Sequence, residues 1–132
     1  MTEPLLRKVD AVTVAVPSLA EGLAFYRDQL GHQLLWRNDA AGQLALSLPD
    51  SDTEVVLTTR QSYEPNWLVS SVDEAVERFA AGGGTIVVEP ADIDVGRVAV
   101  VADPFGNALV LVDLSKGLYQ TDEFHNVVGL GH

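Results

Sequence analysis

The sequence predicts an α+β fold in which two tandem βαβββ units form a cupped mixed sheet around a cavity. Three observations predict it. Residues 11–32, AVTVAVPSLAEGLAFYRDQLGH, align without a gap on residues 64–85, EPNWLVSSVDEAVERFAAGGGT. Three strand-like runs follow the helical segment of each copy. The last of these, ALVLV at residues 108–112, has no polar residue, so both of its faces need cover.

Each element has its own warrant. In the alignment Val16 falls on Val69, Ser18 on Ser71, Glu21 on Glu74, Tyr26 on Phe79 and Gly31 on Gly84. Ser18 with Glu21, and Ser71 with Glu74, have the spacing of a capping box, which starts a helix by satisfying its first N–H groups. Apolar residues then recur at 19, 23, 26 and 30, and at 72, 76 and 79, which is one face of a helix. Gly31 and the run Gly82, Gly83, Gly84 stop the two helices. The strand-like runs are 33–38, 43–48 and 54–59 in the first copy, and 85–88, 97–102 and 108–113 in the second. Turn-rich pieces at 39–42, 49–52 and 103–107 separate them. The last strands align one residue out of step, placing Val56 on Val110. The chain reads as a single domain, 1–132, made of repeats 9–60 and 62–115 and a polar tail 116–132.

A four-stranded sheet with one helix has cover on only one face. The other face of each unit must therefore meet its copy. In the first strand Val12, Val14 and Val16 alternate with Ala11, Thr13 and Ala15. The bulky set faces the helix and the small set faces the concavity. The same alternation sends Val56, Thr58, Glu64, Asn66, Val110 and Val112 to the concavity. Trp36 and Trp67 offer aromatic surface, with Trp67 placed by parity on the helix side.

Composition narrows the function. Hydrophobic residues make up 47% of the 132 residues, enough for a packed core. No run approaches the roughly 18 apolar residues of a membrane helix, and the first residues lack the order of a signal peptide. There is no cysteine, hence no disulfide or thiolate metal site. The expectation is a cytoplasmic protein. The net charge of −11 repels nucleic acid and anionic membranes, and it suits either solubility or a cationic ligand.

The stretches Val12-Thr13-Val14-Ala15-Val16-Pro17, Phe25-Tyr26-Arg27-Asp28-Gln29-Leu30-Gly31 and Asp103-Pro104-Phe105-Gly106-Asn107, in this order and within a repeat, resemble the vicinal oxygen chelate superfamily. That superfamily includes glyoxalases, extradiol dioxygenases, fosfomycin-resistance enzymes and bleomycin-binding proteins. The resemblance implies a glyoxalase/bleomycin-resistance-like fold over residues 9–115 and, commonly, a homodimer. It also implies a divalent metal held at the first and last strands of each unit. The matching positions here are Ala11, Val56, Glu64 and Val110, and only Glu64 has a donor. His32 closes a helix, where a positive group suits the dipole, and His125 and His132 lie in the polar tail. The expectation is no metal and no cofactor.

Polar groups near the cavity are few. Glu64 is the residue placed to act on a ligand or take its proton, with Thr13, Thr58, Asn66, Arg60 and Arg97 as ligand-binding residues. Arg60, like Arg37, also reads as a solvent-facing ion-pair partner. The expected function is metal-free binding of a small molecule, cationic or aromatic. The alternative is a glyoxalase- or dioxygenase-type lyase or isomerase with an atypical site around Glu64. A purely structural or regulatory dimer is the third reading.

Overall fold

The structure is a computed structural model and describes residues 3–131. It is α+β, as the sequence predicts. The elements are β1 (Lys8–Ala15), α1 (Leu19–Leu23) with a π-helical continuation (Ala24–Gln29), β2 (Leu34–Asn38), β3 (Gln43–Leu48) and β4 (Ser51–Thr58). Then follow β5 (Glu64–Leu68), α2 (Val72–Ala81), β6 (Thr85–Ile93), β7 (Gly96–Ala102), β8 (Ala108–Asp113), β9 (Leu118–Thr121) and β10 (Val127–Gly131). The chain divides into two compact units. The N-terminal unit holds Asp10–Glu64 and Tyr119–Gly129. The C-terminal unit holds the residues up to Val9, Pro65–Leu118 and those from Leu130. The segment after Lys116, which the sequence presents as a tail, instead folds as the β9–β10 hairpin.

In the N-terminal unit the strands lie in the order β2-β3-β4-β1. β1 and β4 are parallel, with Thr13 opposite Val56 and Ala15 opposite Thr58, and the remaining pairs are antiparallel. In the C-terminal unit the order is β5-β8-β7-β6. There β5 and β8 are parallel, with Asn66 opposite Val110 and Leu68 opposite Val112. Each parallel pair closes with the same bond: Val16 N–H to Thr58 O at 2.9 Å, and Val69 N–H to Val112 O at 2.9 Å.

Alternation along the strands sets the two faces of each sheet. In the N-terminal unit Leu44, Leu46 and Leu57 are fully buried against Leu19 and Leu23 of α1, with Val14, Val16, Tyr26 and Val55 around them. The opposite face carries Ala11, Ala45 and Val56, with Trp36 against them. In the C-terminal unit Ala99, Val101 and Leu111 pack on Val72, Ala75 and Val76 of α2, and Trp67 and Phe79 join this helix-side cluster.

Both helices start as their capping residues dictate. Ser18 Oγ accepts from the Glu21 N–H at 3.1 Å and donates to Glu21 Oε2 at 2.8 Å. Ser71 Oγ accepts from the Glu74 N–H at 3.3 Å. The end of the first helix departs from the sequence pattern. Leu30 N–H bonds to Phe25 O, five residues back, at 3.0 Å, so the turn is π-wide. The wider turn rotates Leu30 off the buried stripe, and it is 52% exposed. Tyr26 keeps its place on the core, and Gly31 takes φ +85°, a left-handed stop.

Candidate functional site

Glu64 opens β5 and is half-buried. Its carbonyl accepts from Thr13 Oγ1 at 3.1 Å, while the same hydroxyl lies 2.6 Å from Ser62 O. A hydroxyl has one proton, so the buried Thr13 side chain is committed to holding the 62–64 backbone against β1. Thr58 is fully buried, and its Oγ1 accepts from the N–H groups of Arg60 at 3.1 Å and Gln61 at 3.2 Å. It therefore shapes the turn after β4. Arg60 reaches the turn between β2 and β3, donating through Nη1 to Ala40 O at 2.9 Å. The N-terminal unit thus brings Thr13 and Glu64 together through the backbone, and Thr58 and Arg60 through one turn.

Asn66 and Arg97 belong to the C-terminal unit. Asn66 is half-buried opposite Val110. Arg97 donates to Asp73 Oδ1 at 3.1 Å and to Asp92 Oδ1 at 3.0 Å, and Lys116 Nζ reaches the same Asp92 oxygen at 3.0 Å. Hydrogen bonds from Lys116 and Arg97 hold the Asp92 carboxyl below its ordinary pKa. The Arg97 guanidinium is engaged in an exposed ion-pair network.

Two carboxylates that the sequence pattern does not single out matter more to the geometry. Glu54 shares the face of Val56, two residues along β4, and lies opposite Ala11. Its Oε1 accepts from the Trp36 indole N–H at 3.0 Å. Tyr119 of β9 lies against the Trp36 ring, with centroids 4.8 Å apart and planes inclined at 56°. Alternation from Val56 is the signal that points to Glu54. Nothing in a polar tail points to Tyr119.

The other carboxylate is Asp113 at the end of β8, which is buried. Its Oδ2 accepts from the Val72 N–H at 2.8 Å, and its Oδ1 from the Arg97 N–H at 3.0 Å and the Ser115 hydroxyl at 2.7 Å. Burial alone raises a carboxyl pKa. Here the bonds from Val72, Ser115 and Arg97 outweigh it, and the net shift is downward. Asp113 ties the start of α2 to β7 and β8, which is an architectural role.

The Asp103-Pro104-Phe105-Gly106-Asn107 turn is held by its own ends. Asp103 Oδ1 accepts from the N–H groups of Phe105 at 2.8 Å and Asn107 at 2.9 Å, and Asn107 Nδ2 donates to Asp103 Oδ2 at 2.8 Å. The β9–β10 hairpin turns the same way at Asp122-Glu123-Phe124-His125-Asn126. There Asp122 Oδ1 accepts from the Phe124 and Asn126 N–H groups, each at 2.9 Å. The fourth residue is left-handed in both, Gly106 at φ +92° and His125 at φ +66°. The shared D-x-F-x-N spelling is the signal that reveals the second turn.

The metal of the vicinal oxygen chelate enzymes does not fit these residues. Ala11 and Val56 are buried beside Ala45 and Trp36, and Val110 lies in β8; none has a donor atom in its side chain. Among the described residues no three His, Asp or Glu side chains converge. His32 Nδ1 is 3.1 Å from Ser47 O, and His125 is exposed with its carbonyl accepting from the Arg37 N–H at 2.8 Å. His132 lies outside the described residues. No described helix is long and apolar enough to cross a membrane.

Comparison with known proteins agrees with this architecture. The chain is 38% identical over 98 residues to "Putative glyoxylase CFP32" of Mycobacterium tuberculosis, and equally to its Mycobacterium bovis counterpart. That match takes in 68% of this chain and 37% of the relative, so the chain spans little more than a third of the length of these relatives. Among solved structures, methylmalonyl-CoA epimerase from Mycobacterium tuberculosis is similar with a TM-score of 0.66 at 22% identity, covering 86% of this chain and 91% of that one. Hypothetical protein BH1468 from Bacillus halodurans C-125 is similar with a TM-score of 0.65 at 18% identity, covering 88% and 98%. These likenesses concern the fold. Residues 11–112 match the family model described as a glyoxalase-like domain, and the chain belongs to that family, within the vicinal oxygen chelate superfamily.

Proposed function

We propose that this glyoxalase-like protein binds a small organic molecule without a metal. The observation that carries the reading is the chemistry of Ala11, Val56 and Val110. These stand where metal-binding members of the superfamily keep donors, and here they are apolar. Glu64 remains the polar residue of that set. Its carboxylate orients the ligand by a charge-assisted hydrogen bond, which favours a cationic or N–H-bearing molecule in a chain of net charge −11.

The second reading is catalytic. A half-buried Glu64 at the start of β5 can take a proton from carbon beside a carbonyl, which is the step a lyase or isomerase needs. The relatives named as glyoxylases favour it, as does an epimerase among the fold neighbours. Screening by thermal shift, with and without EDTA, separates the two readings from a purely structural role. A compound that raises Tm equally in EDTA and is left unchanged supports metal-free binding. A compound that is converted supports catalysis.

We also propose a homodimer, since a small domain gains burial by pairing. Light scattering at micromolar concentration should give twice the 14.2 kDa of one chain, and a 14.2 kDa particle contradicts pairing.

A further inference from the structure

Trp36 is held as a fixed platform. Its indole N–H bonds to Glu54 at 3.0 Å, and its ring rests on Ala11, Ala45 and Val56. The ring that lies against Trp36 is Tyr119, at 4.8 Å between centroids. It comes from a different kind of element, a hairpin of two short strands that pair only with each other in the strand order. A hairpin of this size is marginal alone, and most of its residues are exposed, including Leu118, Phe124, Val128 and Leu130. It is seated on the edge of β2 by the Arg37 N–H to His125 O bond and a parallel bridge between Arg37 and Asn126. The seat is itself strained, because His125 takes φ +66° without being glycine. A rigid platform covered by a ring on a weakly stable element is a site with a built-in competitor.

We propose that Trp36 is the stacking surface for a planar aromatic cation, and that Tyr119 occupies this surface until the ligand displaces it. The ring stacks on the indole, and the positive charge lies beside the Glu54 carboxylate. The net charge of −11 draws such a ligand in. The hairpin swings away from β2 as the ligand enters. This assignment rests on the proposed small-molecule binding and names the ligand class and the surface.

The test uses the full chain carrying Trp67→Phe, so that Trp36 is the sole indole, and proflavine as the planar cation. Proflavine should quench Trp36 emission saturably. Tyr119→Ala should tighten binding by about tenfold by removing the competitor, whereas Trp36→Leu should abolish it. Tyr119→Leu, which keeps an apolar side chain on the hairpin, should also tighten it. Circular dichroism on each variant reports whether the fold is kept. Equal affinity in the parent, Tyr119→Ala and Tyr119→Leu overturns the competitor role. Binding that leaves Trp36 emission unchanged overturns the site while sparing the broader binding reading, because the ligand then sits elsewhere. No binding to any folded variant overturns the assignment of the ligand class. The broader reading is tested separately by the thermal-shift screen and Glu64→Gln.

Discussion

Asp113 shows how one residue can hold several elements. Its carboxylate meets backbone N–H groups of Val72 and Arg97 and the Ser115 hydroxyl inside the protein. Asp113→Ala leaves those buried donors without an acceptor, and should cost at least about 1.5–3 kcal/mol, the worth of one hydrogen bond to a charged group. Urea unfolding measures it. The pH dependence has a definite sign. The folded pKa of Asp113 lies below the ordinary carboxyl value, so its contribution is complete above about pH 3.9 and is lost as pH falls through the folded value. Asp113→Asn should therefore flatten the acid limb of the stability curve, and an unchanged acid limb contradicts this role. Gly96 serves the same latch. A Cβ there would fall on the carbonyl and carboxylate of Asp113, so Gly96 is needed for close approach. Gly96→Ala should lower Tm by several degrees, as a change of about 1–3 kcal/mol does in a domain of this size. Thr13 and Thr58 teach a related lesson. Strand parity sends both toward one face, yet their hydroxyls bond backbone groups of residues 60–64, from the end of β4 to the start of β5. Parity reveals a direction; it does not reveal which acceptor lies within reach.

At the scale of elements, the helix starts are legible because a capping box is local chemistry, and both serines accept as their spacing demands. Strands β3 and β8 fall where the apolar runs place them. The end of the first helix is not legible. A repeat of 19, 23, 26 and 30 assumes regular α turns, and the π-wide turn at Phe25–Leu30 breaks that assumption. Two substitutions distinguish the registers. Leu23→Ala should cost about 2–5 kcal/mol because it opens a cavity, whereas Leu30→Gln should stay within about 0.5 kcal/mol, as surface changes do. Equal costs would restore the regular helix. The hairpin after Lys116 escapes the sequence reading because its strands are short and flanked by Gly and polar residues. Its turn spells D-x-F-x-N like the turn at 103–107, and that spelling was the available clue. The sheet edges are managed by different means. Asn126 of the hairpin bridges to Arg37 on β2. In β6 the register shifts twice, and Pro90 removes a donor, both of which discourage pairing with another strand.

At the scale of the whole molecule, the internal correspondence in the sequence reappears as two βαβββ units with matching parallel pairs, Thr13 with Val56 and Asn66 with Val110. That much was legible because the fold is written in periodicity and caps. The candidate site was less legible, because the reading proposed for it turns on side chains at a few strand positions. Ala11, Val56 and Val110 offer no side-chain donor to a divalent ion, and in the proposed reading Glu64 is the polar residue left of that set. Elemental analysis of protein purified without chelator should therefore find well under one Ni, Zn, Fe or Mn per chain. Glu64→Gln should weaken binding of a screened ligand by about tenfold, the equivalent of about 1.4 kcal/mol, with little change in Tm because the amide keeps the shape.

The most direct test of metal-free binding is calorimetric titration of a ligand found by the thermal-shift screen into protein dialysed exhaustively against EDTA. The Kd should equal that of untreated protein, and adding back divalent ions should not change it. Loss of binding in EDTA, restored by one equivalent of a divalent metal, would contradict the account and return the protein to the metal-dependent members of its superfamily.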